Sequence, residues 1–182
     1  MNTNHVILVD NQDQVVGYME KLEAHQKAVL HRAVSVFIIN SKGEWLLQQR
    51  AKAKYHSNSL WTNTCCTHPY PGEQILEAAN RRLEEEMGMH ANLQQVFHFI
   101  YLAPLDNQLT EHELDHVFVG FTDQTPIPNA SEVMNYAYKT PQWVLNDITN
   151  NPDKYTEWFK KVANDVYIHI KQLTLTQNRV VV

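Results

Sequence analysis

Residues 73–88 have the sequence EQILEAANRRLEEEMG, which shows the clearest helical pattern in this chain. Its apolar side chains recur at steps of three and four residues, as on one face of a helix: Leu76, Ala79, Leu83 and Met87. Gly88 follows directly, where glycine commonly ends a helix. The spacing therefore predicts a helix over residues 73–87 with one buried face.

Apolar, β-branched segments on both sides of this helix predict strands. They form an N-terminal hairpin (Val6–Val9, Val15–Tyr18), a second pair (Ala33–Ile39, Trp45–Leu47) and two later segments (Val96–Leu102, Val117–Phe121). Polar residues 51–63 are predicted to be loop, and the tail after Leu173 has a β-prone composition.

A second helix is predicted to begin near Pro152, because proline suits a first helical turn. Its apolar face would consist of Tyr155, Phe159, Val162, Val166 and Ile170. Helices and hairpin strands in mixed order indicate an α+β fold rather than a doubly wound parallel sheet.

Length and composition narrow the class of protein. The 182 residues suit a single domain, residues 1–182, and the 43% of apolar residues can supply its core. A formal net charge of −5 argues against a general affinity for nucleic acid. No apolar run approaches the roughly 20 residues of a membrane-spanning helix, and the N-terminus lacks the basic and apolar regions of a signal peptide.

The two cysteines, Cys65 and Cys66, are adjacent, and neighbouring cysteines form only strained disulfides. A reducing cytoplasm suits this arrangement best. No long exposed apolar helix demands a partner subunit. We therefore expect a cytoplasmic monomer with neither nucleic-acid nor membrane partners.

The sequence contains two pairs of potentially reactive side chains, and within each pair the residues are two positions apart. Cys66 and His68 would share one face of an extended chain, with Cys65 pointing away. Glu111 and Glu113 would do the same if the following strand begins early. Taken alone, the first pair is better explained as a buried thiol beside a histidine, and the second as a solvated strand end. Convergence with other groups would make either pair functional.

Residues 112–116, HELDH, match the H-E-x-x-H pattern of zinc proteases. That motif works only on a helix, where both histidines share a face. Here it runs directly into the strand composition of Val117–Phe121, so we reject a protease while keeping it as an alternative from another reaction class.

The helical segment also resembles a known phosphate-handling motif. The order Glu73, Arg81, Leu83, Glu85, Glu86, Gly88, Met89 is similar to the Nudix box, which holds metal against a diphosphate. Two positions depart from it: Thr67 replaces the first glycine, and Arg82 replaces the glutamate after the arginine. Nudix hydrolases use a cluster of carboxylates, so the loss of this glutamate argues against diphosphate hydrolysis, although the rest of the scaffold is kept.

One branch of that superfamily matches further. Residues 61–69, WTNTCCTHP, resemble the catalytic cysteine segment of the type I isopentenyl-diphosphate delta-isomerases. Other matching positions follow in order over roughly residues 5–160. The resemblance implies a Nudix-type mixed β-sheet sandwiched by helices, with an N-terminal hairpin and a C-terminal helix. It also implies interconversion of isopentenyl and dimethylallyl diphosphate, a step of isoprenoid biosynthesis, by a protonation and deprotonation across an allyl unit.

The resemblance also implies a role for each matching residue. The proton-transfer groups would be Cys66 and Glu113, assisted by Tyr101, while Trp158 would stabilise a carbocation with its ring face. Residues expected to contact the prenyl diphosphate are Lys21, Arg50, Lys54, Trp61 and Arg82. One metal, Mn²⁺ or Zn²⁺, would be held by His25, His31, His68, Glu111 and Glu113. A Mg²⁺ bound with the diphosphate would contact Glu86 and the backbone oxygen of Cys66.

Two alternatives remain at this point. One is a Nudix-type diphosphate hydrolase, which would release phosphate. The other is a non-catalytic metal-binding domain that uses the ten histidines structurally.

Overall fold

The structure is a computed structural model that describes residues 4–54 and 56–177, with side chains as far as residue 172. Within these residues nine strands form one mixed sheet: β1 (His5–Val9), β2 (Val15–Glu20), β3 (His31–Ile39), β4 (Trp45–Arg50), β5 (Trp61–Thr62), β6 (Cys65–Thr67), β7 (Gln94–Pro104), β8 (Thr110–Phe121) and β9 (Val133–Lys139). The helices are α1 (Lys21–Lys27), α2 (Ile75–Met87), α3 (Pro141–Asn150) and α4 (Glu157–Gln177). The α+β prediction is confirmed, as is the N-terminal hairpin, because β1 and β2 pair antiparallel.

Strand β3 lies at the centre of the sheet and organises it. It runs parallel to β8 over its whole length and pairs antiparallel with β6 and with the ends of β1 and β4. Nearly all of its residues are buried, as expected for a strand covered on both faces. On one face Phe37 and Ile39 pack in the cluster that contains the apolar side chains of α4. On the other, Val36 and Ile38 pack in the cluster that contains those of α2. The sheet is therefore sandwiched between helices.

Helix α2 agrees closely with the sequence prediction. It begins at Ile75, two residues later than predicted, after a capping box between Gln74 and Glu77, and it ends before Gly88, whose φ is 60°. Ala79, Leu83 and Met87 are fully buried, but Leu76 is 46% exposed. The prediction that Leu76 belongs to the buried stripe was wrong, because Ala78 is the buried residue of that first turn.

The start of the C-terminal helix was predicted too early. Pro152–Lys154 form a short 3₁₀ turn, and α4 begins only at Glu157. The reason is tertiary: Tyr155 bridges to Trp61 of β5 in extended conformation, so the chain cannot turn into a helix before this contact. The predicted face is otherwise confirmed, with Phe159, Val162 and Val166 buried.

Other elements were missed or misassigned. Residues 51–63 contain the short strand β5 as well as loop. Helix α4 continues to Gln177, so the β-prone tail is helical that far, and residues 178–182 lie outside the described part. Helix α3 was not predicted, although Thr140 before Pro141 is a typical helix start. Among the described residues, no helix combines the length and apolar character needed to cross a membrane.

Candidate active site

Five side chains from four parts of the chain converge at one end of β3. His25 lies on α1, His31 begins β3, His68 follows β6, and Glu111 and Glu113 lie near the start of β8. Each offers one ligand atom, and these atoms all lie within 4.8 Å of one another. The register of the sheet explains part of this, because His31 pairs directly with Glu113 across the parallel β3–β8 ladder. The expectation that Glu111 and Glu113 share a face holds because β8 begins early, at Thr110.

Backbone contacts orient two of the imidazoles toward the centre of this cluster. His25 Nδ1 lies 2.6 Å from the Lys21 carbonyl oxygen, and His31 Nδ1 lies 2.7 Å from that of Val29. A carbonyl oxygen only accepts hydrogen bonds, so each Nδ1 carries a proton, and in the neutral ring each Nε2 presents a lone pair. This is the arrangement that usually orients a metal-binding histidine.

The residues fit a divalent cation. His31 Nε2 and His68 Nε2 are 3.2 Å apart, close to the separation of about 3 Å between neighbouring ligands at metal–nitrogen distances of about 2 Å. His25 Nε2 and Glu111 Oε2 lie 3.1 Å apart, yet both are buried without a hydrogen bond in the described structure. Converging buried lone pairs and carboxylates repel one another unless a positive charge lies between them. Nitrogen and oxygen ligands together suit Zn²⁺ or Mn²⁺ better than Mg²⁺.

Glu113 has a second set of contacts on its other oxygen. Tyr101 on β7, which pairs with Glu113 in the sheet, donates its hydroxyl proton to Oε2 at 2.5 Å. Oε1 lies 2.7 Å from His68 Nε2. Although burial raises the pKa of Glu113, its contacts with His31 and Tyr101 lower it to about 2. One carboxylate therefore links the histidine cluster to the phenol that we expected to assist it.

The Cys66 side chain lies on the same side of β6 as His68, and both line one cavity of about 180 Å³. Cys65 points the other way and is fully buried in the α2-side core, as its position in the alternation predicts. Burial, together with the nearby charge of Asp115, raises the pKa of Cys66 to about 12. The side chain is therefore a neutral thiol at physiological pH, able to give a proton rather than act as a thiolate nucleophile.

Cationic side chains line the wall of this cavity although the whole chain is acidic: Lys21, Arg50, Lys54, Arg81 and Arg82. At least three of them are held by carboxylates, and Arg81 contacts both oxygens of Glu73. Arg82 and Lys54 both contact Oε2 of Glu132, and Arg82 also contacts Glu86. The Glu86 carboxylate is buried in the cavity wall, where it also accepts from Gln48 Nε2 at 2.5 Å. Burial raises the pKa of Glu86, against the effect of Arg82 and Lys54.

Trp158 lies in the cavity wall and is only 4% exposed. The Arg50 guanidinium sits over its ring, 5.2 Å from the centroid, so the ring face already receives a cation. Trp158 also packs with Phe159 in the core cluster, so the same ring lines the cavity and belongs to the core. Trp61 differs: it is half-buried against the same core cluster, and the described lining of the cavity does not include it.

Several residues near the site were not singled out from the sequence. His56, in the loop before β5, is buried, with Nε2 3.8 Å from Glu111 Oε1 and its ring edge-on to Trp158. Burial lowers its pKa to about 3. Glu132 precedes β9, and Asp115 lies buried beside Ser35. No periodicity marks His56 or Glu132, because both lie in loops; Asp115 could have been found from its place two residues after Glu113 on the strand.

The H-E-x-x-H pattern does not form the helical zinc site of a protease. His112 to His116 lie within strand β8, so the two histidines cannot share a helical face. His112 donates from Nδ1 to the Ala28 carbonyl oxygen at 2.8 Å, whereas His116 Nε2 lies 3.1 Å from Asp13 Oδ2. The rejection of a zinc protease is confirmed.

Comparison with known proteins agrees with this geometry. The NUDIX domain family matches residues 29–159. The isopentenyl-diphosphate Delta-isomerase of Pectobacterium atrosepticum is 49% identical over 160 residues, which cover 88% of this chain and 89% of that protein. The protein of the same name from Serratia proteamaculans is 47% identical over 161 residues, covering 88% of this chain and 90% of its own length.

Solved structures show the same fold at low sequence identity. The crystal structure of DR0079 from Deinococcus radiodurans matches with a TM-score of 0.75 at 20% identity, covering 90% of this chain and 99% of that one. The MutT protein from Methanosarcina mazei matches with a TM-score of 0.63 at 17% identity, covering 75% of this chain and 91% of that one. The fold, the family match and the close relatives agree, and the chain belongs to the NUDIX family and, within it, to the isopentenyl-diphosphate Delta-isomerases.

Proposed function

We propose that this protein interconverts isopentenyl diphosphate and dimethylallyl diphosphate in the cytoplasm, by adding a proton to one carbon of the alkene and removing one from another. The observation that carries the proposal is a single cavity lined by the Cys66 thiol, the Tyr101–Glu113 pair and a group of cations. A relative that is 49% identical and bears the name of this activity supports it. Moving a double bond needs one group that gives a proton and another that takes one.

Cys66 and Glu113 are the two proton-transfer groups in this proposal. They lie on β6 and β8, two of the strands that pair with β3, so they reach the cavity from different strands. A neutral thiol has a proton to give, and a carboxylate can take one. After one turnover Cys66 is a thiolate and Glu113 is a carboxylic acid, which is the starting state for the reverse reaction. Proton exchange with water restores the original pair. Tyr101 orients the carboxylate through its hydrogen bond to Oε2.

Protonation of the alkene leaves positive charge on a tertiary carbon. We assign its stabilisation to the face of Trp158, because cation–π contacts reach about 2 kcal/mol when both partners are desolvated. Lys21, Arg50, Lys54 and Arg82 would hold the diphosphate, with guanidinium groups matching pairs of phosphate oxygens. Trp61, which packs beside this region, would contribute to the shape of the substrate site.

Metal ions complete the proposal. His25, His31, His68, Glu111 and Glu113 would hold Zn²⁺ or Mn²⁺, while Glu86 and the Cys66 backbone oxygen would hold Mg²⁺ with the diphosphate. Bound there, these cations would tune the proton affinity of Glu113 and neutralise phosphate charge. The protein-side contribution is to keep the imidazole lone pairs directed inward and the cavity screened from water.

The decisive experiment is proton NMR of the metal-loaded protein with isopentenyl diphosphate and Mg²⁺ in deuterated water. We expect deuterium in the dimethylallyl product, with exchange abolished in Cys66→Ala and Glu113→Gln. Cys65→Ala is the matched control, because its sulfur lies in the core on the other side of β6, and it should retain exchange. Release of phosphate from an unexchanged alkene would instead establish a Nudix hydrolase. A folded, metal-loaded protein with neither reaction would be a binding domain.

A further inference from the structure

The Asn63 side chain is fully buried in the turn between β5 and β6, three residues before Cys66. Its Nδ2 donates to two backbone carbonyl oxygens, that of Val36 at 3.1 Å and that of Cys65 at 2.9 Å. Because carbonyl oxygens only accept, these contacts establish which end of the amide is the nitrogen. The oxygen Oδ1 must therefore face the Cys66 sulfur, which lies 3.2 Å away.

The amide oxygen is also held by two threonine hydroxyls in series. Thr62 Oγ1 donates to Asn63 Oδ1 at 2.8 Å, and Thr156 Oγ1 donates to Thr62 Oγ1 at 2.9 Å. Both threonines are buried. With Cys66 donating from the other side, the two lone pairs of Oδ1 are both used. A fully satisfied buried network of this kind holds one geometry, because any rotation leaves a polar group unpaired.

This chain of hydrogen bonds links two parts of the cavity wall. The Thr156 amide donates to the Trp61 carbonyl oxygen at 3.0 Å, and the Thr156 carbonyl accepts from the Lys160 amide at the first turn of α4. Trp158 follows two residues later on that helix. The network therefore joins the turn that bears Cys66 to the helix end that bears the aromatic ring.

A second oxygen contacts the same sulfur. Ser35 Oγ lies 3.6 Å from Cys66 Sγ and donates its own proton to Asp115 Oδ2 at 2.7 Å. Ser35, like Asn63, thus presents a lone pair to the sulfur. The thiol has one proton and gives it to one acceptor at a time, and the shorter contact, 3.2 Å to Asn63 Oδ1 against 3.6 Å to Ser35 Oγ, marks Asn63 as that acceptor.

We propose that Asn63 is a positioning residue for Cys66, with its amide held in place by Thr62 and Thr156. The inference rests on the proposed function, in which Cys66 transfers a proton. Without the amide oxygen, the sulfur would visit other rotamers and the distance to the alkene would vary. Proton transfer would suffer, whereas the diphosphate, held by cations from other segments, would bind as before.

The test compares Asn63→Ala with Thr64→Ala in the metal-loaded protein. Thr64 is equally buried one residue later, but its hydroxyl forms hydrogen bonds, among the described residues, only with the backbone of Leu46 and Ile38. We expect Asn63→Ala to lower kcat about 10- to 100-fold with KM within about twofold, since small misplacements of a reacting group cost this much. Thr64→Ala should lose stability and keep its kcat per folded molecule.

A second pair covers the case in which Asn63→Ala does not fold. Thr62→Val removes the hydroxyl that holds the amide and keeps the shape of the side chain. Thr62→Ser keeps the hydroxyl and removes the methyl group. We expect a lower kcat in the valine variant and recovery in the serine variant, with both melting temperatures recorded. Recovery by serine separates a role in orientation from a role in packing.

An activity-independent measurement separates this inference from the proposed function. The rate of alkylation by iodoacetamide, assigned to Cys66 rather than the buried Cys65 by mass spectrometry, should rise several-fold in Asn63→Ala and not in Thr64→Ala. If the native protein isomerises nothing but this contrast appears, the proposed function fails and the positioning role stands. Equal kcat losses and equal alkylation rates in the two variants would overturn the positioning role.

Discussion

At the scale of single residues, Glu113 joins two parts of the site. One oxygen lies in the histidine cluster and the other accepts the Tyr101 hydroxyl at 2.5 Å. Burial and the charge of Glu113 raise the pKa of Tyr101 well above its ordinary value, so the phenol remains a donor. A neutral donor aimed at one carboxylate oxygen leaves the orientation of the carboxyl group with little freedom.

Tyr101→Phe should therefore reduce turnover more than stability. Loss of a hydrogen bond to a charged group costs about 1.5–3 kcal/mol, which predicts a kcat about 10- to 100-fold lower. Tyr155→Phe is the matched control, because its hydroxyl donates to the Asp147 carboxylate at 2.7 Å, away from the cavity lining. Steady-state assays of both variants check this, and equal losses would contradict an orienting role for Tyr101.

At the scale of elements, the end of α2 shows how one residue ends a helix. Gly88 has a φ of 60°, and a Cβ added there would lie 2.8 Å from the Ile127 carbonyl oxygen. A glycine is thus needed here for two reasons: it adopts the left-handed turn without strain, and its lack of a Cβ allows the segment before β9 to approach closely.

Gly88→Ala should lower the free energy of unfolding by about 2–4 kcal/mol, combining left-handed strain with overpacking. Gly43→Ala provides the comparison: its φ is 75°, but no atom lies within 4 Å of an added Cβ. Its free energy of unfolding should fall by only about 1 kcal/mol, from the backbone strain alone. Urea unfolding of the two variants measures the difference. Similar losses of unfolding free energy would show that the segment at Ile127 moves aside at little cost.

The proposed metal ligands come from separate elements, so a bound cation should stabilise their packing. We expect Mn²⁺ or Zn²⁺ to raise the melting temperature of chelator-treated protein, and His31→Ala to abolish that rise. His112→Ala should keep the rise, because the His112 side chain contacts the Ala28 backbone outside the cluster. Thermal scans with and without the ion test this, and a rise that persists in His31→Ala would contradict the ligand assignment.

At the scale of the whole molecule, a buried histidine should make the fold sensitive to acid. Burial, together with Arg32 and His98, lowers the pKa of His116 to about 4 despite the neighbouring Asp13. Gln95 Nε2 lies 2.9 Å from His116 Nδ1, which suits the neutral ring. Between about pH 6.5 and 4 the unfolded chain binds a proton that the folded chain does not, so this contribution to stability is present above pH 6.5 and lost as the pH falls.

Comparison at two pH values isolates this contribution. The native protein should lose about 2 kcal/mol more stability between pH 7 and pH 5 than His116→Gln does, because the other titrating groups cancel in the comparison. His90→Gln, at a histidine whose side chain is 70% exposed, should behave like the native protein. Urea unfolding at both pH values provides the measurement, and parallel losses in His116→Gln would contradict a buried neutral ring.

The sequence by itself determined the elements whose signals are local. The period of α2, the glycine that ends it and the alternation on β6 and β8 all follow from neighbouring residues, and they correctly paired Cys66 with His68 and Glu111 with Glu113. The tertiary structure decided what depends on distant contacts. The bridge to Trp61 delays the start of α4, the parallel β3–β8 register brings His31 to Glu113, and the buried amide of Asn63 meets Cys66. Local periodicity records which face of an element is buried, whereas the partner across that face is set only when the chain closes on itself.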